Sequence, residues 1–362
     1  MLVSRTGAMS REGTRMFGFG SEYEGLAFWL PLVWAGLLAL AVAMYVVIDG
    51  FDLGVGILFT AARPGNWRDR MMLSVAPIWD GNETWLVLGG GGLFAVFSVA
   101  YAILLPALYL PIILMLIALI FRGVAFEFRF KAERSQVVWD NAFHYGSLIA
   151  TFAQGMVLGA FVQGFQTEGR GFSGGTLDWL TPFSVMTGIG LVCGYGLLGA
   201  TWCVMKTSGE LEIWSRIKAK QFLIGTVVSM AVVSAWVPFL GLHIQWRWFS
   251  WPNVLFVAPV PLLTAFVCWR IWKAIEDGRD VAPFLLSIAL FLLGFLGLAI
   301  SLFPYIVPPK LTIWQAANAT SALQFALVGY AVVMPLTLAY TAYAYWVFRG
   351  KIEENPNAAS YH

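Results

Sequence analysis

The sequence predicts an all-α integral membrane protein of nine transmembrane helices. They form two similar four-helix bundles plus one more helix, with the N-terminus outside and the C-terminus inside. Three observations predict this. Of 362 residues, 59% are hydrophobic and only 12% charged, about half the charge of a soluble domain. Nine apolar segments each reach the roughly 20 residues that cross a bilayer as a helix. Basic residues also segregate: sixteen of the 22 lysines and arginines fall in the loops and ends of one side. Lipid offers no partner to an unpaired backbone group, so helices are the default. The alternation of a barrel strand is absent.

Residues 1–26 form an N-terminal segment. Met9 and Met16 offer alternative starts, so residues 1–15 read as a start-site extension. They are not a signal peptide, because the first apolar run is too long for a cleaved one. The first bundle, 27–163, holds segments at 27–60, 71–98, 100–127 and 139–163. Segment one is long enough that it must tilt, protrude or bend near Gly54 and Gly56. An outside loop, 164–181, leads to the second bundle, 182–306, with segments at 182–205, 220–241, 253–273 and 283–306. The breaker run from Phe303-Pro304-Tyr305 to Pro308-Pro309 opens the outside loop 307–319. The ninth helix, 320–348, and a cytoplasmic tail, 349–362, complete the chain. Each bundle's first cytoplasmic loop carries tryptophan among basic residues, Asn66-Trp67-Arg68 and Ile213-Trp214-Ser215-Arg216, a weak sign of internal repetition. Trp246, Trp248 and Trp251 read as interfacial anchors.

The inner loops carry Arg63, Arg68 and Arg70, then Arg122, Arg129, Lys131 and Arg134, then Lys206, Arg216, Lys218 and Lys220. Arg270, Lys273, Arg279, Arg349 and Lys351 complete that set, which orients it toward the cytoplasm. Arg5, Arg11 and Arg15 at the N-terminus are the discordant piece. A net charge of +2 from 22 basic and 20 acidic residues gives no support to nucleic-acid binding. Cys193, Cys203 and Cys268 lie in apolar runs without a CxxC pair, which fits core packing rather than a disulfide framework or metal site. The glycine run 89–92 has no GK[ST] after it and reads as close helix packing, as do Gly194, Gly196 and Gly199.

Ionisable residues inside a membrane cost several kcal/mol unless paired or hydrated, so they mark function. Segment one holds Asp49-Gly50-Phe51-Asp52, its carboxylates three apart on one helix face. Segment two holds Trp79-Asp80-Gly81-Asn82-Glu83-Thr84-Trp85. Asp52 lies eleven residues before Arg63, and Asp80 ten after Arg70; at 1.5 Å per residue both sit ~15 Å from the cytoplasmic boundary. Segment three descends to the same side carrying Arg122 and Glu127. The expected site is a polar cluster of Asp49, Asp52, Asp80, Asn82, Glu83 and Arg122, with carboxylates at graded depth able to relay protons. Structural readings stand beside it. Pro77 could open a helix and make Asp80 or Glu83 a simple dipole partner. Arg122 could snorkel to the boundary. Asp49 could form a purely structural ion pair. Only His144, His243 and His362 are available, too few to hold haem and copper in one pocket, so no catalytic or metal residue is expected in this chain.

Three blocks resemble subunit II of the cytochrome bd quinol oxidases: Tyr45 to Gly56 (YVVIDGFDLGVG), Ala76 to Leu86 (APIWDGNETWL) and Phe121 to Arg129 (FRGVAFEFR). Gly194 to Lys206 and Ser301 to Pro309 are similar to the same family, and the likeness runs from about residue 22 to about 350. The wording is most similar to the cyanide-insensitive branch. The resemblance implies a multi-pass protein of the bacterial cytoplasmic membrane, in a complex that oxidises quinol and reduces dioxygen to water. It implies haem b and haem d carried by a partner, subunit I, in a heterodimer with or without a small accessory subunit. In some members a structural quinone binds subunit II; no residue here is assigned to it. Carried over by position, Asp49 and Asp52 match the first acidic motif, Asp80 the second and Arg122 the arginine of segment three. Asp80 and Arg122 lead as candidates for proton supply. Glu83 stands where some relatives have glutamine, and Gln315 where some have aspartate. The alternative from another class is a proton-coupled transporter, which would also use midplane carboxylates but would act without haem.

Overall fold

The computed structural model describes residues 22–132 and 134–352, except for the side chains of Leu242 and His243. The start-site extension, the tail beyond Ile352 and His362 lie outside the described residues. Among the described residues, eight helices are long and apolar enough to cross a membrane. Helix α1, Leu26–Phe59, is followed by α2, Asn66–Val75, and α3, Trp79–Val96. Next come α4, Ser98–Ala107, α5, Tyr109–Phe128, and α6, Gln136–Gln163. The second half holds α7, Pro182–Lys206, α8, Glu210–Trp236, the short α9, Leu242–Phe249, and α10, Asn253–Val257. It continues with α11, Pro259–Glu276, and α12, Ala282–Leu302; a four-residue α13, Ile313–Ala316, precedes α14, Thr320–Val347. Two small antiparallel hairpins, Thr167–Glu168 with Gly171–Phe172 and Tyr305–Val307 with Leu311–Thr312, lie in the two long loops, so the chain is helical with minor strand.

The expected segments differ from these helices where proline intervenes. Segment two is not one helix over 71–98. It breaks at Ala76-Pro77-Ile78, because a proline has no N–H to continue the ladder. The resulting α3 has 18 residues, but Asp80, Asn82 and Glu83 keep it below the apolarity of the other eight. Segment three divides at Leu108, between Pro106 and Pro111, into α4 and α5. Segment seven divides at Ala258, with Pro259 at the first position of α11. By contrast α1 runs unbroken for 34 residues through Gly54 and Gly56. Helix α7 starts on a capping box: Thr181 Oγ1 accepts from the Ser184 N–H at 3.0 Å, and Ser184 Oγ accepts from the Thr181 N–H at 2.9 Å.

The core lies where α1, α6 and α7 meet. Contact there is backbone to backbone. A Cβ on Gly54 would strike the Tyr195 carbonyl oxygen of α7, and one on Gly199 would strike the Gly54 backbone of α1. Gly146 of α6 lets the backbone of α5 approach at Ala118 and Arg122, where a Cβ would come within 2.7 Å of the Ala118 oxygen. Small residues give helices in lipid the close packing that the hydrophobic effect cannot supply there. Of the glycine run, Gly92 packs on Leu38 and Gly89 on Val42, whereas Gly90 and Gly91 face open space.

The basic loops converge at one end. Arg129 is buried and binds Asp140 (2.5 Å) and Asp69 (2.7 Å), while Arg68 reaches the other oxygen of Asp140 at 2.8 Å. Arg63 pairs with Glu210, and Arg216 with Glu212 and Asp280. Trp67 and Trp214 lie with ring centroids 5.9 Å apart at this end. The chain after α14 is latched here too. Lys206 Nζ donates to the Phe348 and Gly350 carbonyls at 2.6 and 3.2 Å, and the Ile352 N–H donates to the Lys206 carbonyl at 2.7 Å. Burial pulls the Lys351 ammonium down, but its hydrogen bonds to Asp280 and Glu212 outweigh this and hold it above the usual lysine range. Lys351 therefore keeps its charge at neutral pH.

Gly54→Ala and Gly199→Ala should each lower stability by about 1–3 kcal/mol, because the added methyl meets backbone that cannot step aside. Gly36→Ala, with nothing near its Cβ position, should not. Thermal melting of the purified protein checks all three.

Candidate functional site

The site is assembled from three helices. Helix α1 presents Asp49 and Asp52 one turn apart, α3 presents Asn82 and Glu83, and α5 presents Arg122. Arg122 Nη2 lies 2.7 Å from Asp49 Oδ1 and 3.1 Å from Glu83 Oε1. Asn82 Nδ2 donates to Asp52 Oδ2 at 2.6 Å and to the Ile48 carbonyl at 3.2 Å. Arg122, Asp49 and Asp52 are 0% exposed and Asn82 1%, whereas the Glu83 side chain retains 28%. Zero exposure settles the open reading of Arg122. It does not snorkel.

Five of the six expected residues come together; Asp80 does not. It lies exposed in the first turn of α3, where its carboxylate meets the positive end of the helix. The physical reason is the break at Pro77, which places Asp80 at a helix start instead of mid-helix. Glu83, one turn further on, reaches inward. It lies close enough to Asp80 for the two charges to interact, so Asp80 stands at the edge of the cluster and not in it.

One guanidinium faces three carboxyl groups. It can neutralise only one of them, and unpaired buried charge is costly. Such an arrangement sets four ionisable groups close together inside the bundle. Its surroundings are polar as well: Tyr45 is one turn before Asp49, and the ring of Tyr195 lies on Gly50. Among the described residues, the buried hydroxyls of Ser147 and Thr151 have no hydrogen-bond partner, the kind of interior that ordered water completes.

Sequence reasoning missed three groups. Tyr45 is signalled only by its spacing of four from Asp49. Asp140, which binds Arg68 and Arg129, hides in the first turns of α6. Tyr345 of α14 donates its hydroxyl to Asn82 Oδ1 at 3.1 Å, a contact across 263 positions that no local pattern encodes. His144 Nδ1 lies 3.0 Å from the Gly56 carbonyl oxygen, and its ring meets Tyr145 edge-on. Among the described residues, no three or more His, Cys, Asp and Glu are arranged so that they could hold a metal ion.

Fold and site together define a polytopic helical membrane protein with charged groups paired inside its helix bundle. Its relatives fix the class. The family model of cytochrome bd terminal oxidase subunit II matches residues 30–348, and the chain belongs to that family. It is 29% identical to the cytochrome bd-I ubiquinol oxidase subunit 2 of Escherichia coli, covering 91% of this chain and 96% of that protein. It is 26% identical to the cytochrome bd ubiquinol oxidase subunit 2 of Bacillus subtilis, covering 88% and 96%. A chain in the structure of bd oxidase from Geobacillus thermodenitrificans has the same fold, with a TM-score of 0.72 and 10% identity over 88% of this chain and 98% of that one.

Arg122→Met would leave Asp49 and Glu83 without their cation. Breaking a buried pair from one side costs about 3–5 kcal/mol. Melting of the purified assembly should register that loss, and the double variant Arg122→Met/Asp49→Asn should recover part of it.

Proposed function

We propose that this chain packs, as subunit II, against a haem-bearing subunit I in the bacterial cytoplasmic membrane. The complex oxidises quinol and reduces dioxygen to water, with haem b and haem d in the partner. The names of the relatives, both ubiquinol oxidase subunits, support quinol as the reductant. In this reading α1 to α6 form the first four-span bundle, α7 to α12 the second and α14 the ninth span. The meeting of the basic loops at one end supports an inside C-terminus. The motif wording supports the cyanide-insensitive branch, which oxygen uptake persisting in cyanide would check.

The role of this chain in the chemistry is proton supply from the cytoplasm. The observation that carries this is the buried set of three carboxyl groups around one guanidinium, with Glu83 partly open to the surface. Exposed Asp80 collects protons at the start of α3, and Glu83 receives them at the cluster edge. Arg122 holds Glu83 and Asp49 within reach of each other, and Asp52, held by Asn82, lies one turn nearer the basic loops on α1. Each transfer is between groups of one chemical type, so the driving force between neighbours is small, and consumption of protons in oxygen reduction sets the direction.

A tagged purification should bring down a membrane partner with b- and d-type haem bands; a lone colourless chain would favour the transporter reading. In that complex Asp52→Asn and Glu83→Gln should each lower oxygen uptake per haem about tenfold or more, with Asp80→Asn falling less because water can substitute at an exposed site. Normal uptake by a normally assembled Asp52→Asn complex would defeat the proton role.

A further inference from the structure

Helix α14 is the least embedded of the long helices, with 11% of its most apolar window buried. It is held at both ends. At one end the Asn318 side chain donates to the Ala95 carbonyl at 2.8 Å, and Trp34 Nε1 donates to the Leu323 carbonyl at 3.1 Å. At the other end Lys206 and Ile352 close the latch described above. Near that latch α14 makes its link to the candidate site, the Tyr345–Asn82 hydrogen bond.

The chemistry of the Asn82 amide makes this link consequential. An amide has one acceptor end and one donor end. Its donor end serves two acceptors at once, Asp52 Oδ2 and the Ile48 carbonyl. Its acceptor end receives Tyr345. Reversing the amide would set oxygen against the oxygens of Asp52 and Ile48 and nitrogen against a hydroxyl donor. The ring of Tyr345 is itself held edge-on by Phe51 and Trp202, at centroid distances of 6.2 and 6.4 Å. Beside the pair is a cavity of about 10 Å³ lined by Gly81, Asn82, Tyr340, Thr341 and Tyr345, room for about one water. Without the tyrosine hydroxyl, the Asn82 oxygen would turn to whatever donor this space supplies, and the amide would lose its fixed orientation toward Asp52.

We propose that Tyr345 is a positioning residue for proton transfer: acting through Asn82, it holds Asp52 in the orientation the transfer requires. This rests on the proton-supply reading of the cluster. The expected effect of Tyr345 is on turnover, not on quinol binding.

The test is a double-mutant cycle in the complete haem-bearing complex, measured per haem. Y345F should assemble with normal haem content and lose kcat several-fold at unchanged quinol KM. N82A should also lose kcat, and Y345F/N82A should fall no further than N82A alone, because the tyrosine acts through the amide. Y343F, altering an exposed tyrosine of the same helix, should behave as the unaltered complex. Wild-type turnover in Y345F, or additive losses in the double variant, would overturn the proposal. So would failure of Y345F to assemble, which would show a structural role instead. D52N separates this from the reading beneath it. Loss in D52N without loss in Y345F defeats the positioning role alone, whereas normal turnover in D52N defeats the proton role itself.

Discussion

A guanidinium buried inside a helix bundle must be surrounded by acceptors, and the central architecture of this chain follows from that need. Arg122 has no exposure, so α1 and α3 must each deliver a carboxylate to it from a different direction. Three helices are thereby fixed in depth and rotation relative to one another. Register along α1 then determines the rest, since Asp52 follows Asp49 by one turn and meets Asn82. A pairing of this kind is weak as a source of net stability but strict about geometry.

Close approach of the backbones makes that geometry attainable. Where α1 meets α7, Gly54 and Gly199 leave no room for a side chain, and Gly146 brings α6 against α5 beside Arg122. Small residues at these crossings thus let the helices close around the polar interior. At the loop end a second buried arginine, Arg129, gathers α2 and α6 through Asp69 and Asp140. Its position at the boundary, with Arg68 on the same aspartate, suits a clamp on the loops. The two arginines divide the work, one holding the interior and the other the rim.

Much of this was legible in the sequence, for reasons that can be named. Asp49 and Asp52 announced a common face by their spacing, and counting residues from Arg63 and Arg70 placed α1 and α3 at matching depth. The link between Asp52 and Asn82 is the result. Asp80 had two readings: counted along one continuous helix it joins the cluster, but Pro77 does precede a new helix, the stated alternative, and Asp80 stands in its exposed first turn. Arg122 could be read either way, since position relative to a boundary does not reveal whether a partner exists; its burial against Asp49 and Glu83 decides it. Tyr345 carried no signal, because its partner Asn82 is supplied by a helix 263 positions away, and Asp140 carried none for its contact with Arg68, 72 positions away. The break at Leu108 was hidden inside a run that is apolar enough to look continuous.

The most direct test of the central claim is proton uptake during a single turnover, followed with a pH-sensitive dye on the side of the basic loops in reconstituted, pre-reduced complex mixed with oxygen. Asp49→Asn keeps the shape of the cluster and leaves Arg122 its contact with Glu83, but removes the buried carboxylate. The account predicts that electrons still reach the haems at the normal rate while proton uptake from that side slows. Uptake at the wild-type rate, in a complex with normal haem content, would contradict it.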